Sequence, residues 1–233
     1  MLYKIAGLTV ELKNKYSYTE RLCRNYETDN TQKVDIVLQA SAEEIEAELS
    51  DSSVTNVGYC EGVCLYRKLC ALLPSYDAVM FHSAAVEVKG EGFAFFGKSG
   101  SGKSTHAALW KRIFGDGLIF VNGDKPIYRF EDGILYAYGT PWCGKEGLNT
   151  NTKTAIKALG LIKKASENSV RALSPKEAAT SLIEQVIFPK DAVGTLKTMD
   201  FLDRMISTVP IYEISCNISE EAAKLAYETM KGR

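Results

Sequence analysis

The chain has 233 residues, of which 45% are hydrophobic and 24% charged, with a formal net charge of -1; this is the make-up of a packed globular protein. The balance excludes a basic field for nucleic acid, and no apolar stretch reaches the roughly 18 residues needed to cross a bilayer. A cytoplasmic protein with small-molecule or protein partners is expected, acting on neither nucleic acid nor membrane. The six cysteines, with no signal-peptide pattern before them, read as free thiols. Cys60 and Cys64 stand four apart, but no second Cys or His pair follows at zinc-site spacing. One domain over 1–233 is expected, with a small α/β section at 1–75 and the main core at 76–233.

In chain order, "YKIAGLTVELKNKY" alternates as one strand, and "KVDIVLQA" (33–40) repeats the signal after a polar turn. "SAEEIEAELS" sets a serine before an acidic first turn and predicts a short helix; "GVCLYRKLCALLP" has helical spacing that stops at Pro74. From Ala78, "AVMFHSAAVEVKGEGFAFFG" holds two apolar strand runs joined by the turn "KGEG". A helix is expected from Lys103, then a strand at "GLIFVNGD", then a hairpin in "IYRFEDGILYAYG" about Asp132 and Gly133. The remainder reads as a strand "AIKALGLIKKA", a helix "SPKEAATSLIEQVI" opening on Ser174 and Pro175, and a strand "VPIYEIS". The helix "SEEAAKLAYETM", capped by Ser219, ends the pattern. The fold class is mixed α/β.

"FFGKSGSGKSTHAALW" (95–110) carries the chemistry. Gly97 followed by Gly102, Lys103 and Ser104 satisfies G-x-x-x-x-G-K-[ST], between a strand and a helix. Glycines let successive N–H groups turn inward, and the helix N-terminus adds a dipole favourable to anions. The pattern assigns Gly97, Ser99, Gly100, Ser101, Gly102, Lys103, Ser104 and Thr105 to the phosphates of ATP, Lys103 to the β- and γ-phosphates, and the Ser104 hydroxyl to Mg²⁺. Asp124, twenty residues beyond Ser104 at the end of "LIFVNGD", supplies the carboxylate such a metal needs; a plain turn aspartate is the alternative. His82 ends "AVMF" and nears the phosphates if its strand pairs with the one before the loop; otherwise it is a polar core or edge residue.

Taken together, "MFHSAAVEVKGEGFAFFGKSGSGKST" and "FVNGDKPIYRFEDG" resemble the nucleotide site shared by ATP-dependent phosphoenolpyruvate carboxykinases and HPr kinase/phosphorylases. The resemblance is specific over about 80–133 and does not extend to the first 75 or so residues. Within that lineage "GTPWCGK" and the segment after it look like a group of small HPr-kinase-like proteins. It implies a mixed-sheet P-loop domain of the carboxykinase/HPr kinase type, with the small α/β section at its N-terminus. It also implies Lys103 on the phosphates, Ser104 on Mg²⁺, Asp124 as the acidic metal ligand or base, and His82 as an active-site residue or as a ligand to a transition metal such as Mn²⁺. Both families usually place two adjacent acids where this chain has Asp124 and Lys125, and the carboxykinases are about twice as long.

"GTPWCGKEGLNTN" (139–151) reads either as a substrate loop, with Trp142 as a wall and Lys145 as a catalytic cation, or as a structural turn in which Trp142 plugs the core. Cys143 lacks a histidine partner and is not expected to be a nucleophile. His106 reads either as a contact to the nucleoside or as a solvated helix residue. The leading functional expectation is phosphoryl transfer from Mg-ATP to a hydroxyl of a small molecule or a protein serine. A carboxykinase-type lyase and a non-catalytic ATP-binding regulatory module are the alternatives. Neither the acceptor nor the oligomeric state is legible.

Overall fold

The computed structural model describes residues 1–29, 33–51 and 54–232. The polar turn expected before the second strand signal lies partly outside them. The first predicted strand is in fact a hairpin of β1 (Leu2–Ile5) and β2 (Leu8–Leu12). Its two-residue turn has Ala6 at φ 51 and Gly7 at φ 77, and positive φ at both positions is what a type I′ turn requires. Helix α1 (Ser17–Cys23), which the sequence reading missed, follows and leads into the shorter-than-expected β3 (Ile36–Leu38). β3 lies parallel to β2 in a three-stranded sheet.

The helix α2 (Ala42–Asp51) opens on Ser41, whose Oγ accepts from Glu44 N while Glu44 Oε2 accepts from Ser41 N at 2.7 Å. This reciprocal pair satisfies two donors that a helix start would otherwise leave open. Helix α3 (Val57–Leu72) begins earlier than predicted because Asn56 caps it, accepting from Tyr59 N at 3.0 Å. Glu61, fully buried on α3, accepts from Lys15 N and Tyr16 N, and so fixes the entry to α1 against α3.

The predicted run from Ala78 divides into β4 (Ala78–Met80) and β5 (Ser83–Val88), and β6 (Glu91–Phe96) follows the expected turn. The division comes from long-range pairing: Phe81 bridges Val186, and His82 N donates to Gln185 O at 2.8 Å. Then come α4 (Lys103–Phe114), β7 (Leu118–Asn122), the hairpin β8 (Ile127–Glu131) and β9 (Ile134–Tyr138), and the long β10 (Lys153–Lys164). The hairpin turns on Asp132 and Gly133, both at positive φ, as its sequence signal requires. Strand β11 (Ser169–Ala172), α5 (Pro175–Ile183), α6 (Ala192–Thr208), β12 (Ile211–Cys216) and α7 (Glu220–Met230) complete the described chain. β11 and α6 were not anticipated, and α5 stops short of the predicted helix.

The main sheet is mixed, with order β4-β8-β9-β10-β6-β5-β7, and β12 pairs with both β10 and β11. Strand β10 joins two regions: residues 153–155 run antiparallel to β9, and its later residues run parallel to β6 and β12. Side chains alternate across β6. Phe93 and Phe95 pack under α4 and α7, whereas Ala94 and Phe96 face the cluster formed with α5 and α6. Trp110 of α4 is fully buried at the first of these layers, its ring 5.1 Å from that of Phe93 and 4.9 Å from that of Phe95.

His106 is part of this layer and is 1% exposed, so it is not a solvated helix residue. Trp110 Nε1 donates to its Nε2 at 3.1 Å, which makes that nitrogen an acceptor and places the ring proton on Nδ1, 3.8 Å from Cys216 Sγ. Burial pushes its pKa down to about 4. A base with a depressed folded pKa binds fewer protons than its unfolded counterpart between that value and about 6.5, so stability falls as pH drops through this window and levels off below it. Urea denaturation of the wild type should therefore show this histidine alone removing about 2 kcal/mol between pH 7 and pH 5. His106→Gln, which keeps an acceptor for Trp110, should lose that much less over the same range. Identical pH slopes in the two proteins would contradict the buried neutral imidazole.

Candidate functional site

Strand pairing determines which chain ends meet. Ser83 of β5 lies opposite Phe96 of β6, and Ala85 of β5 lies opposite Asn122 of β7. Because β5 is antiparallel to both, the C-terminal ends of β6 and β7 and the N-terminal end of β5 fall on one edge. The parallel strands β10 and β12 bring their C-terminal ends, Lys164 and Cys216, to the same edge. That edge, beyond the carboxyl ends of parallel strands, is where open α/β sheets hold ligands. A cleft of about 580 Å³ lies along it, bordered by residues 99–102 of the glycine loop but not by Gly97, and by the first turns of α4, His82 and Asp124.

The loop 97–102 has three glycines at positive φ: 140° at Gly97, 74° at Gly100 and 108° at Gly102. At Gly97 the need for glycine is also steric, since a Cβ would stand 3.0 Å from Ser101 Oγ and 3.1 Å from Ile162 O. Gly102 begins α4 without any side chain to cap it. The first-turn N–H groups of a helix have no partner within the helix, so they are available to an anion. Ser101 Oγ is buried without a hydrogen-bond partner. Lys103 is buried and folds back on its own loop, donating from Nζ to Gly97 O at 2.9 Å. Burial pushes its ammonium below the ordinary lysine value, and the nearby Asp124 charge opposes that shift. A phosphate in the loop would offer this cation a charged partner in place of a carbonyl.

Asp124 follows β7 and is partly exposed. His82 Nε2 lies 2.7 Å from its Oδ1, and Lys125 Nζ lies 3.3 Å from its Oδ2. Burial pushes its carboxyl up, but the His82 hydrogen bond and the Lys125 charge together hold it below the ordinary aspartate value. The carboxylate is thus fully ionised near neutral pH. His82 occupies the link between β4 and β5 rather than the strand end expected for it.

Asn122, fully buried, aims this carboxylate and was overlooked in the sequence. Its Oδ1 accepts from Asp124 N at 2.9 Å and Lys125 N at 2.7 Å, while its Nδ2 donates to Thr140 Oγ1 at 3.0 Å and toward the carbonyls of Thr140 and Trp142. The signal for it was the "NGD" tripeptide, since an asparagine side chain can close a turn on the N–H groups that follow it. The same bonds tie the loop after β9 to Asp124. Gly144 of that loop sits so close that a Cβ on it would stand 3.0 Å from the Asp124 Cβ.

Ser99, Gly100, Ser101, Gly102, Lys103, Ser104 and Thr105 border the first cleft with His82 and Asp124. Lys145 does not: it lies beside a second cleft of about 800 Å³, which Asp124 also lines, along with Trp142 and Cys143. Trp142 is 8% exposed with its ring 5.3 Å from that of Tyr66, so it packs into the core of the N-terminal section. Burial pushes the Cys143 thiol up, away from a reactive thiolate. Lys164, Asn217 and Ile218 also border the first cleft; they lie at or just past strand ends whose convergence only the sheet order reveals.

Among the described residues, no group of three or more His, Cys, Asp or Glu is arranged to hold a metal ion. The Asp124 carboxylate and the Ser104 hydroxyl border the same cleft beside the glycine loop. That sparse oxygen set fits Mg²⁺, which is commonly bound by one or two carboxylates with phosphate oxygens and waters. His82 Nε2 is committed to Asp124, so ligation of a softer ion through that nitrogen requires breaking the contact.

No protein-family model and no curated protein matches the chain. Among solved structures it is similar to the HPr(Ser) kinase/phosphatase from Coxiella burnetii. The two are 12% identical, with a TM-score of 0.36, over 64% of this chain and 95% of that one. A likeness at that level carries no argument about activity, which rests instead on the cleft.

Removing the Asn122 side chain takes the acceptor from two turn N–H groups and one hydrogen bond from the Thr140 hydroxyl, which still donates to Lys125 O. Asn122→Ala should therefore destabilise the protein by about 3 kcal/mol in urea denaturation. A loss under about 1 kcal/mol would mean that the turn does not depend on this residue.

Proposed function

We propose that this protein is a kinase that transfers the γ-phosphate of Mg-ATP to a hydroxyl group. The observation that carries the reading is the meeting, at one sheet edge, of the glycine loop and Lys103 with the ionised Asp124 held by His82. In this reading the α- and β-phosphates lie on the loop amides and the first turn of α4. Lys103 leaves the Gly97 carbonyl for the β- and γ-phosphate oxygens. Leu109, Ile162 and the exposed Ile218 supply apolar surface for the base.

Ser104 and Asp124 would hold Mg²⁺, which when bound neutralises charge on the transferring group. The acceptor oxygen forms a bond to the γ-phosphorus as the bond to the bridging β-phosphate oxygen breaks, and ADP leaves. The hydroxyl proton passes to the Asp124 carboxylate and its partner His82, and from there to solvent. Asp124 is a weak base, but in a loose transition state little proton transfer is needed before the phosphorus–oxygen bond to ADP is largely broken. Positioning and charge neutralisation then supply most of the catalysis.

With γ-labelled ATP and a deproteinised cell extract as acceptor source, Lys103→Ala should reduce label transfer at least about a hundredfold. Asp124→Asn should reduce it comparably while changing nucleotide affinity only a few-fold. Transfer that survives Asp124→Asn within tenfold would remove that residue from the mechanism. Nucleotide binding by the wild type with no transfer to any acceptor would favour a regulatory nucleotide-binding module over a kinase.

A further inference from the structure

The two clefts share Ser104 and Asp124. In an in-line displacement the leaving and attacking oxygens lie on opposite sides of the transferring phosphorus, so the space beyond Asp124 from the nucleotide is where an acceptor must stand. On the kinase reading above, the second cleft, which reaches Ser104 and Asp124 from the N-terminal section, is the candidate for that place. One wall is the N-terminal section, which contributes Tyr18 from α1 and Tyr59, Val63 and Tyr66 from α3; the other is the loop after β9. At about 800 Å³ it is the size of a small-molecule site. A protein serine carries its hydroxyl only about two covalent bonds from its own backbone, so the main chain of a protein acceptor would have to enter between these walls.

Ring surface and balanced charge define the chemistry of the cleft. Tyr18 and Tyr59 meet edge to face at 5.9 Å, and Tyr59 is 37% exposed. Tyr66 and Trp142 form the floor, where the Trp142 indole N–H is buried without a hydrogen-bond partner. Three cations border the space, Arg67, Lys125 and Lys145, against three carboxylates, Glu48, Asp124 and Glu146. Arg67 forms two hydrogen bonds with Glu48, and Lys125 pairs with Asp124. Lys145 and Glu146 are neighbours in sequence and are both exposed. No cation is left in excess to select an anionic acceptor, whereas paired guanidinium and carboxylate groups beside flat rings suit a ligand rich in hydroxyls.

We infer that the cleft between the N-terminal section and the loop after β9 binds a small, net-neutral, polyhydroxylated ring compound, of sugar or cyclitol type, as the phosphoryl acceptor. One of its hydroxyls is turned toward Asp124, and the acceptor becomes a phosphate monoester as ATP becomes ADP and a proton is released.

The test divides a cell extract into macromolecules and small molecules, and divides the small molecules by ion exchange into neutral, anionic and cationic pools. Each pool is incubated with the whole protein, Mg²⁺ and γ-labelled ATP, and neutral hexoses and myo-inositol serve as defined probes beside free serine. Label should enter the neutral pool and be retained afterwards on an anion exchanger. Val63→Trp, which fills the cleft, should cut that transfer at least tenfold, with folding checked by binding of a fluorescent ATP analogue. Leu196→Ser, on the exposed face of α6, should leave the transfer unchanged.

Label confined to the macromolecular, anionic or cationic pool overturns the inference and leaves the kinase reading standing. Full transfer by a folded Val63→Trp protein removes the cleft from the reaction. Nucleotide bound with label in no pool overturns the inference together with the kinase, and failure to bind nucleotide removes the nucleotide site as well.

Discussion

The pairing of β5 with both β6 and β7 is the constraint on which the cleft depends. His82 leads directly into β5, the glycine loop leaves β6, and Asp124 follows β7. The ladder hydrogen bonds that fix this register thereby determine the distance between the glycine loop and the carboxylate beside it. A slip of one residue would reverse the facing of every side chain on β5. It would bury polar groups against Phe93 and Phe95, and the energetic cost of that mispairing protects the geometry. The site is held by the same contacts that hold the sheet.

Around that frame the charges are arranged in compensating pairs. Lys103 rests on the carbonyl of Gly97, and Asp124 is shared between His82 and Lys125. Neither ion is left buried and bare, which would cost several kcal/mol. A triphosphate bearing Mg²⁺ would let each exchange its present partner for a more strongly charged one. Lys125 stands where the resemblance leads one to expect a second acid, so in this chain the neighbour of Asp124 is a cation paired with it.

Sequence legibility followed the range of the interactions concerned. The loop 97–102 and the Asp132–Gly133 turn were readable because each is determined within a few residues. The Ala6 turn was hidden because alanine rarely takes positive φ. Helix α1 has only seven residues, too few for a periodic signal, and β11 is largely exposed and so shows no alternation. Helix α6 buries Phe201, Leu202 and Met205 but also exposes Val193, Leu196 and Met199, which blurs the contrast between its faces. At the site, Lys103, Ser104 and Asp124 carry local motif signals, and His82 is drawn in by strand pairing. Asn122 and the role of the N-terminal section as a wall of the second cleft depend on contacts between distant segments, which no local pattern encodes.

The central claim is that the nucleotide's phosphates lie on the loop 97–102 with Asp124 beside them. A titration of isotope-labelled protein with Mg-ADP, followed through backbone amide resonances, tests it directly. The account predicts that the largest shifts fall on the amides of Gly100 to Thr105, followed by those of Asn122 to Lys125, and that they saturate together. Shifts centred elsewhere, or none at millimolar Mg-ADP, would contradict it.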